Sequence, residues 1–330
     1  MIDWRERLVD LARRLAPATD IADSPEAAGY HSLPVLRRPH WKWHIPLYFS
    51  ISGTASGAYS VAAFADASGR TDDRPIARAG RLIALGGVLA TVPLLIDDLG
   101  RPERFHHMLR VFKPRSPMSM GAWGLGLFGT FAGILTAIDV LGDRARFPAG
   151  LRHAIGMLGM PLSLFLSGYT GVLLAATAVP LWARGRLLFG PLFALSAVGT
   201  GLSAIELALS GSIDSHHGAR KRLRDLDITI LLAELGVTAA LPRVLGRFGR
   251  PLTVSPWGQP FWFAVAIGQV IPLGLRLASP RADPATGRFC ATLAAILTLL
   301  GGLMLRWTVV EAGKTSADDP AAAFAFHGQR

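Results

Sequence analysis

The feature that most constrains this chain is a series of long stretches without charged side chains. The clearest of them, residues 116–138, contains no Lys, Arg, Asp or Glu. A helix of about 20 apolar residues is long enough to cross a bilayer core of roughly 30 Å. Only 17% of all residues are charged, whereas an ordinary soluble domain carries about 25%. The chain is therefore predicted to be an all-α integral membrane protein.

Eight stretches are long and apolar enough to be interpreted as transmembrane helices. They cover about residues 41–64, 82–96, 116–138, 154–183, 187–209, 226–241, 251–275 and 289–310. The sixth stretch is the least regular, because Asp225, Asp227 and Glu234 crowd or interrupt it. A helix with these acids should face protein rather than lipid. Eight crossings would place both termini on one side of the membrane.

A weak internal sequence repeat predicts how these helices are grouped. The stretch from Leu99 to Met118 recurs loosely as the stretch from Leu245 to Trp257, and each joins the second and third helix of a group of four. The prediction is two four-helix bundles. Its parts are an extramembrane N-terminal tail at residues 1–40, a first bundle at 41–184, a second bundle at 185–312 and a C-terminal tail at 313–330.

Composition excludes several kinds of site. The single cysteine, Cys290, can supply neither a disulfide framework nor the ligands of an iron-sulfur cluster. Haem is not expected, because every His lies in a tail, in a loop or at the edge of a span, and no other metal site is expected. The net charge of +11 comes from short Lys and Arg clusters between apolar stretches. This pattern favours membrane lipid headgroups, and not nucleic acid, as the counter-charge.

Small residues at helical spacing predict close helix packing. Gly53 and Gly57 lie in the first span, and the third span contains four glycines between residues 121 and 129. In lipid, such positions allow two helix backbones to approach each other closely. The alternative is that some of these glycines make room for the flat ring of a ligand.

The densest group of charges follows the second span. Asp97 and Asp98 stand directly at its end, and Glu103 follows in the loop. The basic residues of the same loop are Arg101, Arg104, Arg110, Lys113 and Arg115. Carboxylates and guanidinium groups at this spacing can pair with each other at a membrane boundary. A solvated loop is the alternative interpretation.

Three polar side chains at the edges of two spans predict a shared cavity. His44 and Tyr48 are four residues apart, so their side chains lie on the same side of the first helix. Tyr169 lies in the fourth span, whose end shares a leaflet with the start of the first helix if the two cross in opposite senses. All three would then face one cavity with the charged loop at its mouth. The alternatives are an interfacial His and tyrosines that only pack.

Four segments resemble the NrfD/PsrC family, the integral membrane subunits of polysulfide-reductase-type molybdoenzyme complexes. They are residues 45–49, 98–105, 112–119 and 169–174, with the sequences IPLYF, DLGRPERF, FKPRSPMS and YTGVLL. The resemblance covers about residues 41–310 and is strongest in the first half. It implies a multi-pass subunit of the inner (cytoplasmic) membrane that anchors a respiratory oxidoreductase complex and reacts with quinol or quinone.

The same resemblance implies partners and roles for particular residues. The cofactor would be menaquinone or ubiquinone, and the implied quinone-binding residues are His44, Tyr48 and Tyr169. In this interpretation the proton relay is Asp97, Asp98 and Glu103. The loop residues Arg101, Arg104, Arg110, Lys113 and Arg115 would dock a ferredoxin-like iron-sulfur subunit. That subunit would carry electrons to or from a molybdopterin catalytic subunit.

A second class of function follows from ionisable residues inside the last four spans. These residues are Glu206, Asp227, Glu234 and Arg306. Ionisable residues in membrane segments often line ion or proton paths. The alternative prediction is therefore a proton-translocating subunit or a secondary transporter. Structural pairing, for example of Glu234 with Arg306, is the other interpretation of the same residues.

Overall fold

The computed structural model describes residues 36–99, 102–145, 148–210, 217–281 and 283–327. These residues form helices and connecting turns, with no β-strand among them. The long helices are α1 (His44–Ala67), α2 (Arg74–Asp97), α3 (Pro117–Ala145), α4 (Ala149–Ala175), α5 (Phe189–Leu209), α6 (His217–Leu245), α7 (Gly258–Ala278) and α8 (Pro284–Ala317). Shorter helical segments include Pro102–Leu109, Pro180–Arg184, Arg250–Thr253 and Pro320–His327. Most of the predicted N-terminal tail lies outside the described residues.

Seven helices of the described ranges, α2 to α8, are long and apolar enough to cross a membrane. The predicted helical membrane fold is therefore confirmed, but the predicted count of eight spans is not. The helix that falls short is α1, which has 24 residues but a low average hydropathy. The reason is a series of buried serines along it, Ser50, Ser52, Ser56 and Ser60.

Two of these serine hydroxyls, those of Ser56 and Ser60, contact the neighbouring helix α4. The Oγ atoms of Ser60 and Ser163 are 2.8 Å apart, and the Ser167 hydroxyl donates to Ser56 Oγ at 3.0 Å. Because both partners lie on α4, these polar groups are satisfied inside the protein. The low hydropathy of α1 thus reflects a helix that is surrounded by other helices.

Helices α1 and α5 approach each other very closely. A Cβ atom at Gly57 of α1 would overlap the backbone carbonyl of Ala197, and a Cβ at Gly201 of α5 would overlap the backbone of Ala58. The two backbones therefore touch, as small residues allow in membrane proteins. Since α5 also packs against α6 and α8, it contacts helices of both predicted groups. The two separate bundles of the prediction are thus not confirmed.

Several helix boundaries differ from the prediction, and the fourth and sixth helices show why. The fourth helix ends at Ala175 and not near residue 183, because the chain turns and begins a short second helix at Pro180. Proline is favoured in the first turn of a helix. The sixth helix is longer than predicted, because its first turns continue through charged residues beyond the apolar stretch. Lys221 and Asp225 in those turns are exposed.

The helix ends define two faces of the molecule. His44 Nε2 lies 2.9 Å from Asp97 Oδ2, which brings the start of α1 next to the end of α2. The Tyr169 hydroxyl of α4 donates to the carbonyl oxygen of Pro117, the first residue of α3, at 2.5 Å. We call this side the His44 face. The opposite side, where α1 ends near Asp66, is called the Asp66 face.

Candidate functional site

A cavity of about 130 Å³ lies at the His44 face between α1, α2, α3 and α4. Its wall is mostly apolar and includes Trp41 and Phe49. Its polar groups are Tyr48 on α1, Asp98 just after α2 and Tyr169 on α4. An apolar enclosure with a few convergent polar groups is the usual form of a small-molecule site. Two of the three side chains expected to share a cavity thus lie in this wall.

Tyr169 is held from three sides. Its hydroxyl donates to the Pro117 carbonyl, and its ring centre lies 5.3 Å from that of Phe165. On α3, a Cβ atom at Gly121 would overlap the Tyr169 hydroxyl and ring. Gly121 therefore makes room for a flat ring, as the sequence allowed, but that ring belongs to Tyr169.

His44 lies beside the cavity and is not part of its wall. The imidazole is buried, whereas the carboxylate of its partner Asp97 is 69% exposed. His44 Nδ1 is buried and has no hydrogen-bond partner within the described ranges. The pair of His44 and Asp97 connects a buried imidazole with solvent, which is an arrangement that can exchange protons.

Asp98 is the carboxylate that reaches the cavity. It follows the last residue of α2 and is partly buried. Burial raises the pKa of the Asp98 carboxyl above its ordinary value, and the charges of His44 and Lys42 offset only part of this effect. The carboxyl therefore keeps its proton to a higher pH than a solvated aspartic acid does.

The loop between α2 and α3 forms a basic surface at the mouth of the cavity. Its charged residues Glu103, Arg104, Arg110, Lys113 and Arg115 are all exposed, whereas Arg101 lies outside the described residues. Met108 of the same loop lies in the cavity wall. Glu103 is not part of that wall. Two large apolar side chains of the loop, Phe105 and Phe112, are also exposed.

A second, apolar groove of about 170 Å³ adjoins the cavity. Leu95, Leu99 and Met108 line both spaces. From there the groove follows α2 back to Val88, which is about 12 Å along the helix from Ile96 at 1.5 Å per residue. The two spaces together form a cavity with polar groups at one end and an apolar extension along the helices.

The ionisable residues of the last four helices are joined by one that the sequence did not single out. Arg276, near the end of α7, pairs with Glu206 and with Asp227, whose Oδ2 lies 2.6 Å from Arg276 Nε. Arg276 stands one residue beyond the predicted seventh span. Its position at the end of a membrane helix was the feature of the sequence that could have identified it. Glu234 accepts a hydrogen bond from Gln269 Nε2 at 3.2 Å.

Arg306 is held mainly by groups other than the expected partner Glu234. Its Nη1 donates to Ser196 Oγ at 3.0 Å and to the Gly302 carbonyl at 2.9 Å. Its guanidinium carbon lies 5.3 Å from the centre of the Phe193 ring. The charges of Glu234 and Arg306 still attract each other. Arg306 is thus positioned by α5 and α8.

A second network near the Asp66 face was also missed by the sequence analysis. Arg81 is buried and pairs with Asp66 and with both carboxylate oxygens of Asp139, at 2.6 and 2.7 Å for the latter. Arg152 lies 3.8 Å from Asp139. These residues come from the four helices α1 to α4, which they hold together at that face. Each of them lay near a span end, but their pairing required the fold.

The described residues contain no group of three or more His, Cys, Asp or Glu side chains placed to hold a metal ion. Cys290 is a free thiol at the start of α8. The polar groups at the cavity are hydroxyl and carboxyl groups, which suit hydrogen bonding and proton transfer.

Comparison with known proteins identifies the family. A model of the family described as "Polysulphide reductase, NrfD" matches residues 36–317. The C subunit of the polysulfide reductase of Wolinella succinogenes is 26% identical over 83% of this chain and 94% of its own length. Protein NrfD of Escherichia coli is 23% identical over 83% of this chain and 95% of its own length. Together with the helical membrane fold, these matches establish that the chain belongs to the NrfD family of polysulphide reductase membrane proteins.

Proposed function

We propose that this chain anchors a respiratory oxidoreductase complex in the inner membrane and reacts with quinone or quinol. The supporting observation is the cavity in which Tyr48, Tyr169 and Asp98 meet apolar walls at the His44 face. A quinone ring is flat and carries two carbonyl oxygens, and its reduction takes up two electrons and two protons. The cavity offers an apolar enclosure for such a ring and hydroxyl groups for its oxygens. Menaquinone and ubiquinone both fit this description.

The roles of the side chains follow from their positions. The hydroxyls of Tyr48 and Tyr169 would hold the two carbonyl oxygens, and Tyr169 would exchange its bond to Pro117 for one to the ligand. Asp98 would pass protons between the cavity and the nearby water. The pair of His44 and Asp97 would provide a second exchange with solvent beside the cavity. Glu103 would extend this relay on the surface of the loop.

The apolar groove beside the cavity suits the isoprenoid tail of such a molecule. It shares four wall residues with the cavity, including Ala122 of α3, and is lined almost entirely by apolar side chains. A ligand whose ring lies between the tyrosines could therefore extend its tail along α2. This continuity distinguishes a lipid-soluble quinone from a small polar ligand.

We also propose that α1 is an eighth membrane-spanning helix and that α1 to α4 and α5 to α8 form two bundles. Helix α1 has 24 residues and is about 36 Å long. Its start contacts the end of α2 through His44 and Asp97, and Asp66 near its end contacts Arg81 near the start of α2. Since α2 is itself a candidate span, α1 runs beside it through the same layer.

The basic loop is the proposed docking site for an iron-sulfur partner of the ferredoxin type, which would exchange electrons with a molybdopterin subunit. Arg104, Arg110, Lys113 and Arg115 are exposed at the mouth of the cavity. Complementary charge steers such encounters and fixes their orientation. A partner on this loop would stand next to the cavity wall at Met108, which keeps the electron path short.

Tyr169→Phe tests the quinone site directly. The substitution removes one hydroxyl, and a hydrogen bond of this kind contributes about 0.5–1.5 kcal/mol, so the dissociation constant for a quinone should rise about two- to tenfold. Quenching of tryptophan fluorescence by a soluble quinone analogue, added to the purified chain, would measure it. Tyr59→Phe is the matched control, since Tyr59 is equally buried but bonds the Gly156 carbonyl and does not line the cavity. Equal affinities in the two variants would contradict the site.

Asp98→Asn tests the proton relay. In the assembled complex we expect the rate of quinone reduction to fall as pH rises through the raised pKa of Asp98, because the carboxyl then has no proton to donate. The variant should be slower and should lack this pH step. Asp72→Asn, an exposed aspartate at the Asp66 face, should keep the wild-type profile. An unchanged profile in Asp98→Asn would remove Asp98 from the relay.

A further inference from the structure

A cavity of about 320 Å³ at the Asp66 face has no role in the proposed function. The end of α1, the turn after it, the start of α2 and the start of α4 form its wall. The basic residues of this wall are Arg70, Arg74, Arg152 and His153, and we call the space the Arg74 cavity. Within the described ranges, it shares no wall residue with the cavity at the His44 face. A concave surface lined by charges of one sign attracts ligands of the opposite sign.

The acidic side chains near the Arg74 cavity have partners of their own. Asp66 is the acid of its wall, and its carboxylate is paired with Arg81. Asp72 and Asp73 precede α2, but neither lines the cavity. The carboxylate of Asp73 is directed to α6, where Arg222 lies 2.5 Å away. These acids therefore leave most of the positive charge in the wall uncompensated.

Arg70 and Arg74 carry this uncompensated charge. Both side chains are exposed, and neither forms an ion pair within the described ranges. The third arginine, Arg152, lies 3.8 Å from Asp139, whose oxygens already accept hydrogen bonds from Arg81. Guanidinium groups bind phosphate oxygens through two parallel N–H donors. The wall thus presents two free guanidinium groups, and part of a third, to an anion.

The start of α4 adds backbone donors to the same wall. Gly150 is the second residue of this helix, and Pro148 before it offers no side-chain acceptor to the first turn. The free N–H groups and the dipole at the start of a long helix favour an anion. A Cβ atom built at Gly150 or at Gly69 would meet no heavy atom within 4 Å. The backbone is therefore open at two points of the wall.

The Arg74 cavity lies at the level of the lipid headgroups. Two candidate membrane spans, Thr71–Asp97 and Gly150–Ala175, begin at its wall. Charged residues at the ends of such spans meet the headgroup region of the bilayer. Deeper along the same helices, large apolar side chains are exposed, namely Phe64, Leu82 and Leu158. A ligand that uses both features has an anionic head and apolar chains.

We propose that the Arg74 cavity binds the headgroup of an anionic phospholipid such as phosphatidylglycerol. The phosphodiester would contact Arg70, Arg74 and the start of α4, and the acyl chains would lie along the exposed apolar side chains. The cavity accommodates several water molecules, and therefore a group of about the size of a phosphate with its glycerol. Basic pockets between membrane helices are suited to such headgroups. A bound lipid would join α1, α2 and α4 at this face.

Two related ligands differ from this one in a way that can be tested. Inorganic phosphate carries the same anionic group but has no acyl chains to lie on the apolar surface. Phosphatidylcholine has the same phosphodiester and acyl chains, but its ammonium group is repelled by the arginines of the wall. The proposal therefore predicts that phosphatidylglycerol binds more tightly than either of them.

Removing the charge of the cavity is the first test. The purified full chain, freed of lipid in a neutral detergent, is titrated with phosphatidylglycerol, and native mass spectrometry counts the bound lipids. Each arginine near a headgroup strengthens binding about fivefold, so the double variant of Arg70→Gln and Arg74→Gln should bind about 25-fold more weakly. Arg78→Gln is the control for Arg74→Gln, since Arg78 is exposed one turn further along α2 and outside the wall. It should retain the wild-type affinity.

Filling the cavity is the second test, and it keeps every charge in place. The space in front of Gly150 admits a larger side chain without displacing any described protein atom. Gly150→Leu should therefore leave the fold intact but exclude the headgroup, so that phosphatidylglycerol binds no more tightly than phosphatidylcholine. Gly86→Leu adds the same side chain at an open position of α2 outside the cavity. This control should keep the preference of the wild type.

The outcomes are distinct from those for the quinone site, because no quinone takes part. A preference for phosphatidylglycerol that both the arginine variant and Gly150→Leu abolish supports the proposal. Equal binding of the two phospholipids, survival of the preference in either variant, or an equal loss in Arg78→Gln overturns it. Displacement of the lipid by an equal concentration of inorganic phosphate also overturns it, because the ligand would then be a soluble anion. If the arginine variant is not monodisperse, Gly150→Leu alone decides.

Discussion

Gly57→Leu is expected to prevent the chain from folding into a stable membrane protein. The Cβ alone would overlap the backbone carbonyl of Ala197, and a backbone cannot turn aside as a flexible side chain can. Overpacking a core costs about 1–3 kcal/mol where side chains can adjust, and more where they cannot. The affected contact joins α1 to α5. The measurement is the yield of monodisperse protein in detergent and its thermal unfolding midpoint.

Gly86→Leu is the matched control for this prediction. Gly86 lies in α2, and no heavy atom stands within 4 Å of a Cβ built there. The same added side chain should therefore leave the yield and the unfolding midpoint near those of the wild type. If Gly57→Leu and Gly86→Leu gave equally stable proteins, the backbones of α1 and α5 would not be in contact.

Arg276→Met is expected to destabilise the second group of helices strongly. The substitution keeps much of the side-chain volume but leaves the carboxylates of Glu206 and Asp227 without their common cation. Removing one partner of a buried ion pair costs about 3–5 kcal/mol, because an uncompensated charge remains. Asp227 and Arg276 are both almost completely buried. Thermal unfolding of the detergent-solubilised chain should show a clear loss of stability.

Two further variants test whether the loss of stability comes from the buried charges. Arg224→Met breaks the pair with Asp225, whose carboxylate is half-exposed, and a pair of this kind contributes at most about 1 kcal/mol. The triple variant of Arg276→Met, Asp227→Asn and Glu206→Gln should recover part of the lost stability, since it removes the unpaired charges. If Arg276→Met were no less stable than Arg224→Met, the buried triad would not hold these helices.

The helices themselves were largely predictable, because an apolar stretch in lipid must satisfy its backbone hydrogen bonds internally. The boundaries of the helices were less predictable. The end of α4 depends on the turn before Pro180, and the length of α6 depends on charged turns that extend beyond the apolar stretch. The sequence predicted the polar helix α1 from its position and length. The hydrogen bonds of its serines with α4 are seen only in the structure.

The candidate site was predictable in part. Tyr48 and Tyr169 stood out as polar groups near span ends, and both line the cavity. The position of His44 beside the cavity, and that of Asp98 in its wall, depended on how α1 and α2 pack. Gly121 was noted as a small residue, but its contact with Tyr169 joins positions far apart in the chain.

The amino-acid sequence by itself determined that the chain is helical and lies in a membrane, because hydrophobicity and charge act locally along a segment. Only the tertiary structure decided which charges meet. Arg81 joins Asp66 to Asp139, and Arg276 joins Glu206 to Asp227. Each of these groups assembles side chains from three different helices. Which of these side chains pair is set by the packing of helices that lie far apart in the sequence. The composition of one segment therefore cannot predict the pairing.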